Sequence, residues 1–305
     1  MNHVVAVVGA TGTGKSSLAI EIAHELAALG IPAEILGADA MQLYAGMDIG
    51  TAKLDASEQG GIPHHLLSIW PVTQEASVAD YQRRANDRIR ALHDEGRVPI
   101  LCGGSGLYVS SVLFGFSFPG TDEAIRASLE ARLADEGPAV LERELRAIDP
   151  LAADAIGPHN GRRIVRALEV NLMTGEPFSV GLPEAEKLVF PSTIVERTAP
   201  RDVLVQRLDE RVLAMWERGM IDEVRSLEAQ GLRDGVTARQ AIGYAQALAQ
   251  IDGELTESEA IESTQALTRR YARRQVSWFK RYPGVHLENP DASSIASSVR
   301  SRLAA

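Results

Sequence analysis

One stretch constrains the fold more than any other: Gly9-Ala10-Thr11-Gly12-Thr13-Gly14-Lys15-Ser16, which fits G-x-x-x-x-G-K-[ST]. It follows the apolar run Val4–Val8 and leads into a helical pattern over Leu18–Leu29, so it joins a strand to a helix. Gly9, Gly12 and Gly14 let the backbone curl until successive N–H groups point inward, and the helix N-terminus adds partial positive charge. The stretch 9–16 is therefore expected to cradle a di- or triphosphate. Lys15 is expected to neutralise the phosphate farthest from the carrier group, and Ser16 to place its hydroxyl on a Mg²⁺ ion. A glycine-rich turn with no ligand is the alternative, and it has no use for the Lys-Ser pair. Such a P-loop does not name a reaction, because kinases, NTPases and any enzyme that holds a diphosphate can use one.

The chain of 305 residues is long enough for one large or two modest domains. An apolar content of 45% with 24% charged residues is that of a globular protein. No run of apolar residues is long enough to span a membrane, and the N-terminus passes straight into the first strand without a signal-peptide pattern. A cytoplasmic monomer with no membrane partner is expected. The single cysteine, Cys102, lies in the apolar run Val98–Cys102 and is expected to be a buried bystander. A net charge of -10 argues against a surface coated in basic residues, though it allows a local basic tract.

Beyond the P-loop helix, Ala33–Leu36 reads as a short strand ending in Gly37-Ala38-Asp39, which puts Asp39 at a carboxyl edge, where open parallel sheets bind ligands. The stretch from Ala40 to Lys53 is polar and punctuated by glycine, and is expected to be an active-site loop outside the core. His64–Ile69 is expected to form another strand and Val78–His93 a helix with Arg83, Arg84, Arg88 and Arg90 on its polar side. The strand Val98–Cys102 then runs into Gly103-Gly104-Ser105-Gly106-Leu107-Tyr108, a second glycine-rich turn. Repeated strand-turn-helix units predict an α/β fold, a parallel sheet flanked by helices.

The rhythm changes after the linker Phe114–Gly120: from Asp122 to about Thr174 only helical patterns are found. Strand character returns at Ser192–Glu196, and helices follow to a basic segment, Arg269–Arg281. The expected organisation is a P-loop core domain, residues 1–115 and 192–305, with an all-helical insertion domain at 116–191. The basic segment is either a solvated helix face or, with Tyr271, Trp278 and Phe279 packed inward, a row of arginines offered to phosphates.

The run ending in Cys102-Gly103-Gly104 lacks the terminal acid that serves the metal in many kinases. Asp39 is the nearby acid, as a Mg²⁺-associated carboxylate or as a general base. Ser105 is a hydrogen-bond donor to substrate or simply a turn residue.

Six segments in order, GATGTGKS at 9–16, ADAMQLYAGMDIGTAK at 38–53, GGSGLY at 103–108, GRRIVRALEV at 161–170, RQAIGY at 239–244 and RRQVSWFKR at 273–281, resemble the bacterial tRNA dimethylallyltransferase family. The resemblance spans nearly the whole chain. It implies transfer of a dimethylallyl group from dimethylallyl diphosphate to the exocyclic amine of the adenosine just 3′ of the anticodon, in tRNAs reading codons that begin with U. It also implies Mg²⁺ dependence and a P-loop NTPase-like core with a helical insertion. On this reading the P-loop holds the donor's diphosphate, Lys15 stabilises the leaving group, and Asp39 takes the proton of the attacking amine. Ser105, where the family commonly has threonine, hydrogen-bonds the adenosine; Ala40 stands where serine is common, which removes any hydroxyl role there. The implied contacts to the tRNA anticodon stem-loop are Asp39, Ala40, Met41, Gln42, Ser105, Arg126, Arg162, Arg163, Ile164, Val165 and Arg166. The stretch Arg239, Gln240, Ala241, Ile242, Gly243 and Tyr244 joins them. For Arg162, Arg163 and Arg166 the alternative is pairing with Glu169 or nearby acids.

Three other readings share parts of this pattern. An enzyme prenylating free AMP, ADP or ATP would keep the P-loop and Asp39 but has no need of the insertion and the arginines. A small-molecule kinase would consume ATP, and a nucleotide-switched RNA-binding protein would survive Asp39→Ala.

Overall fold

The computed structural model describes residues 2–181, 187–280, 282 and 286–304. Arg281, the last arginine of the basic segment, lies outside the described residues. The chain divides into two compact units, one of Met1–Leu113 with Leu188–Ala305 and one of Phe114–Lys187.

The first unit begins with β1 (Val4–Val8), α1 (Lys15–Ala28), β2 (Ala33–Gly37), β3 (His64–His65), α2 (Val78–Asp94), β4 (Val98–Gly103) and α3 (Gly106–Phe114). The second holds α4 (Glu123–Glu136), α5 (Pro138–Ile148), α6 (Pro150–Ile156) and α7 (Gly161–Thr174). The chain then returns to the first with β5 (Ser192–Glu196), α8 (Arg201–Glu217), α9 (Met220–Glu228), α10 (Tyr244–Ile251), α11 (Glu257–Phe279), β6 (His286–Glu288) and α12 (Ala292–Ala304).

Among the described residues the sheet has the order β3-β2-β4-β1-β5-β6, and every pairing is parallel. Its central strand reads Val-Val-Ala-Val-Val with all five side chains buried, as a strand covered on both faces requires. On one face Ile22 and Leu26 of α1 pack with Ile295 and Val299 of α12 over Val5, Val7, Ile35 and Ile100. The crossover from β1 to β2 skips one position, which β4 later fills, so the carboxyl ends of β2, β4 and β1 lie side by side. That order brings together three turns far apart in sequence, at 9–16, 38–39 and 104–105.

In the second unit Leu129, Leu141, Leu145, Ile164 and Leu168 form a core of its own. Asp122 caps α4 by accepting the N–H groups of Ala124 (2.9 Å) and Ile125 (3.0 Å), and Asp149 caps α6 at Ala152 (3.0 Å). Gly137 and Gly157, both at positive φ, end α4 and α6.

Two sequence expectations are corrected. The stretch 40–53 is not wholly outside the core: Leu43, Tyr44 and Met47 are fully buried. Tyr44 packs edge-on against Trp70 and gives its hydroxyl to Gln74 O (2.9 Å), so short apolar stitches anchor a loop whose other residues are polar. The strand expected at His64–Ile69 is cut to His64–His65, because Leu66 and Ser68 adopt positive φ (59° and 54°), which no strand accommodates.

Candidate active site

At the end of β1, Gly9, Gly12 and Gly14 take φ of +137°, +82° and +86°. These are conformations in which a side chain is strained, so the curled loop depends on glycine. Inside it, Ala10 O accepts both the Thr13 hydroxyl (2.8 Å) and the Lys15 ammonium (2.7 Å). Lys15 is partly buried with its ammonium folded onto the loop, and burial pulls it from 10.5 down to about 8. Ser16, at the head of α1, is exposed. Cys102 and Ser16 line a small cleft, and burial pushes the Cys102 thiol up to about 11, the nearby Lys15 charge opposing that shift. Cys102, within β4, is thus only half-buried and lies beside the P-loop, which corrects the expectation of full burial.

The second turn carries Asp39, whose Oδ1 accepts the Met41 N–H (3.0 Å). The third carries Ser105, only 8% exposed, whose Oγ accepts the Ala40 N–H (3.0 Å) and meets the Tyr271 hydroxyl at 3.4 Å. Gln275 of α11 ties the P-loop to this third turn. Its Oε1 accepts the Thr11 N–H (2.8 Å) and its Nε2 donates to Gly104 O (2.8 Å). A Cβ on Gly104 would come within 2.4 Å of that amide nitrogen, so glycine is required for the approach.

A cavity of about 230 Å³ opens onto the first two of these turns, at Thr11 and Asp39, while Ser105 sits behind its wall beside Tyr271. Thr11, Asp39, Met41 and Arg211 line one part of it; Gly50, Thr51, Met215, Gln240, Ala241, Ile242 and Tyr244, with Thr264, Thr268, Tyr271 and Arg274 of α11, line the rest. Arg211 of α8 donates to Thr11 Oγ1 (3.0 Å), while its buried Nε has no hydrogen-bond partner. Burial lowers the Arg211 guanidinium, and the Asp39 carboxylate opposes that shift. Burial likewise raises the Tyr271 hydroxyl to about 12, with Asp39 adding to the effect, so Tyr271 is a neutral hydrogen-bonding group at the cavity wall. The Arg274 guanidinium lies 5.7 Å from the Tyr271 ring centre.

Other expected residues are placed differently. Gln42 gives its side-chain amide to Thr51 O (3.1 Å) and Ala52 O (3.4 Å), so it braces its own loop. Arg239 is exposed and reaches back to Arg233 O (3.0 Å); Gly243 gives its N–H to Gln246 Oε1 (2.9 Å). In the second unit, Ile164 and Val165 are buried in the core, so their side chains support the helix instead of meeting an RNA. Arg126 (2.9 Å) and Arg166 (2.8 Å) both pair with the fully buried Glu169. Burial alone would raise that carboxyl, but the two arginines and the Asp122 N–H hold it below its ordinary value. Arg162 and Arg163 are exposed and make no ion pair among the described residues.

Sequence reasoning missed Arg211, Gln275 and Tyr271 as members of the site. Tyr271 and Gln275 sit four residues apart on one helix face, a spacing that could have marked them as facing a common surface. Arg211 stands in an ordinary amphipathic helix and carries no local signal. Arg269, within the basic segment, is spent on Asp209, whereas Arg270, Arg273 and Arg274 are exposed.

Among the described residues no cluster of three or more His, Cys, Asp or Glu could hold a metal. A divalent ion here would depend on oxygens brought by a diphosphate, with the Ser16 hydroxyl beside them, a donor set that suits Mg²⁺.

One expectation follows from Lys15. Because its folded value lies below the ordinary 10.5, the unfolded chain holds this proton more tightly, and the group favours folding increasingly as pH rises from about 8 towards 10.5. Followed by NMR of ¹⁵N-lysine protein, the Lys15 ammonium is expected to titrate near 8 and to move upward on addition of inorganic diphosphate. An ordinary lysine titration in the anion-free protein would contradict its burial.

A family model described as IPP transferase matches residues 42–282. The tRNA dimethylallyltransferase of Thermobifida fusca is 56% identical over 295 residues, covering 97% of this chain and 92% of that protein. That of Clavibacter sepedonicus is 57% identical over 288 residues, covering 92% of each. Among solved structures, the chain is similar to the tRNA isopentenylpyrophosphate transferase of Bacillus halodurans, with a TM-score of 0.69, 38% identity and coverage of 100% of this chain and 96% of that one. It is also similar to a eukaryotic dimethylallyltransferase acting on tRNA, with a TM-score of 0.78, 26% identity and coverage of 99% and 78%.

Proposed function

The chain belongs to the IPP transferase family and acts as a tRNA dimethylallyltransferase, and from that premise we infer how its residues divide the reaction. The donor is dimethylallyl diphosphate and the acceptor is the exocyclic amine of the adenosine 3′ of the anticodon, in tRNAs that read U-starting codons. The carbon–oxygen bond of the donor breaks, a carbon–nitrogen bond forms, the amine proton passes to Asp39, and diphosphate leaves. The observation that carries this division is the convergence of the P-loop, Asp39 and the half-satisfied Arg211 on one cavity.

The backbone N–H groups of 12–16 and the Lys15 ammonium receive the diphosphate, and negative charge growing on the leaving oxygen is met by groups already in position. The unpartnered Arg211 Nε supports a second cation there, since buried donors are nearly always satisfied by some partner. The Ser16 hydroxyl, together with the diphosphate, would hold Mg²⁺, which would supply further charge neutralisation. An adenine amine is a poor nucleophile because its lone pair is delocalised into the ring, so a carboxylate that accepts its proton lowers the barrier. Asp39 stands at the cavity wall, and Ser105, held by Ala40 N–H with Tyr271 nearby, orients the base from the adjacent turn.

The target base must leave its stack to reach this cavity, at a cost of a few kcal/mol that contacts in the pocket offset. Ile242 and Tyr271 offer apolar and aromatic surface for it, and Gln240 a polar edge. Exposed Arg162 and Arg163 take RNA phosphates, so a net acidic protein still binds RNA through local cations. We take the enzyme to be cytoplasmic, as its substrate is tRNA, and to act as a monomer.

Replacing Arg162 and Arg163 together by alanine is expected to raise the RNA KM and to reduce the slope of log affinity against log salt by about 1 to 2. An unaltered slope would move the RNA path elsewhere. The acceptor class is tested with radioactive dimethylallyl diphosphate, Mg²⁺ and an unmodified anticodon stem-loop, run beside AMP and ATP. Label on the stem-loop alone is expected; label on the mononucleotides would make the enzyme a free-nucleotide prenyltransferase.

A further inference from the structure

Glu223, in the first turn of α9, turns its carboxylate towards the loop that follows β2. Oε2 accepts the backbone N–H groups of Asp48 (3.1 Å) and Ile49 (2.7 Å). Oε1 accepts the N–H of Gly50 (3.3 Å) and the Tyr244 hydroxyl (2.5 Å). Three successive amides wrapped around one carboxylate form a backbone nest filled by the protein's own anion.

This carboxylate joins parts of the cavity wall that otherwise share little. Gly50, Thr51 and Tyr244 all line the cavity. Gly50 lies so close to the Tyr244 ring that a Cβ would come within 2.5 Å of Cε2 and 2.8 Å of the Met220 methyl. From the nest the connection runs back towards Asp39. The carbonyls of Thr51 and Ala52 accept the Gln42 side-chain amide, and Gln42 follows Asp39 by three residues. The loop is thus pinned at its far end by Glu223 and laced to its near end by Gln42.

We propose that Glu223 is a positioning residue for the transfer reaction: it holds the loop 39–50 in the shape that presents Asp39 to the acceptor amine. It touches neither substrate. Its loss leaves three amides of a cavity-lining loop without their acceptor, and such groups seek other partners by moving. A displacement of about 1 Å at a proton-accepting group lowers rate by about 10²-fold. The kinetic part of this inference rests on the transferase reading; the structural part does not.

The test uses full-length Glu223→Gln, which keeps size but brings an amide NH₂ against backbone N–H groups, in the wild-type and Asp39→Asn backgrounds. With saturating RNA and donor, Glu223→Gln is expected to lower kcat about 10- to 100-fold in the wild type. It should lower the residual rate of Asp39→Asn by less than about threefold, because two residues serving one step are not additive. The KM for donor should stay within about twofold, the P-loop being held by other bonds. Hydrogen exchange on the unliganded protein should accelerate at the amides of 48–50 by about tenfold or more, with segment 9–16 unchanged. Tyr244→Phe, which removes one of the four bonds, should give the same pattern in smaller measure, and it carries the test if Glu223→Gln does not fold. Equal rate losses in both backgrounds, an unchanged kcat, or unchanged exchange at 48–50 would overturn the proposal. A wild-type enzyme that transfers nothing would instead overturn the transferase reading, while the exchange result would still stand or fall alone.

Discussion

Asp39→Ala is expected to lower kcat for transfer to an anticodon stem-loop by about 10² to 10⁴-fold, the range set by loss of a positioned general base. RNA binding should barely change, because the side chain is one of many around the cavity. Single-turnover rates with saturating RNA separate the two effects. Asp39 accepts the Met41 N–H and follows a strand paired along its length to β4, so removing its carboxylate should disturb chemistry more than fold. Unchanged turnover would remove Asp39 from the proton path and leave it a loop-turn residue.

Lys15→Ala is expected to cost about 10² to 10³-fold in kcat, as for loss of one preorganised charge at a developing anion. Donor affinity should weaken as well, and calorimetry with inorganic diphosphate checks it independently of turnover. The size of the effect follows from the lysine's setting: a partly buried ammonium, already folded onto Ala10 O, is held in the loop that receives the phosphate. Normal rate with normal diphosphate affinity would contradict the P-loop assignment. RNA affinity should be untouched.

Those two residues were legible in the sequence for different reasons. Lys15 sits in a motif whose local geometry is complete within eight residues, so strand, turn and helix can all be read from one line. Asp39 was legible from its place after a strand, since parallel sheets expose their carboxyl ends to ligands. What no local pattern carried was the strand order: the placement of β4 between β2 and β1 is what brings Ser105 and Asp39 beside the P-loop. The side chains that lock these turns together, Gln275 and Arg211, come from helices more than 190 residues downstream of the P-loop, and only tertiary packing gives them a role.

The misread parts have local causes. Leu43, Tyr44 and Met47 are scattered between Gln42, Gly46 and Asp48 without a sustained period of 2 or of 3.6, which hid their burial. The short β3 ended early because Leu66, a residue without turn character, and Ser68 took positive φ. In the helical unit, Arg126 and Arg166 look identical to Arg162 and Arg163 in sequence, yet a single buried acid, Glu169, separates them into framework and free cations.

The proposed acceptor, one exocyclic amine, is checked with two stem-loops that differ at the position 3′ of the anticodon, one with adenosine and one with a purine nucleoside lacking that amine. Each is incubated with labelled dimethylallyl diphosphate and digested to nucleosides. Label on that adenosine alone, and none on the amine-free RNA, is the predicted result. Label at another position, or on the RNA that lacks the amine, would contradict it.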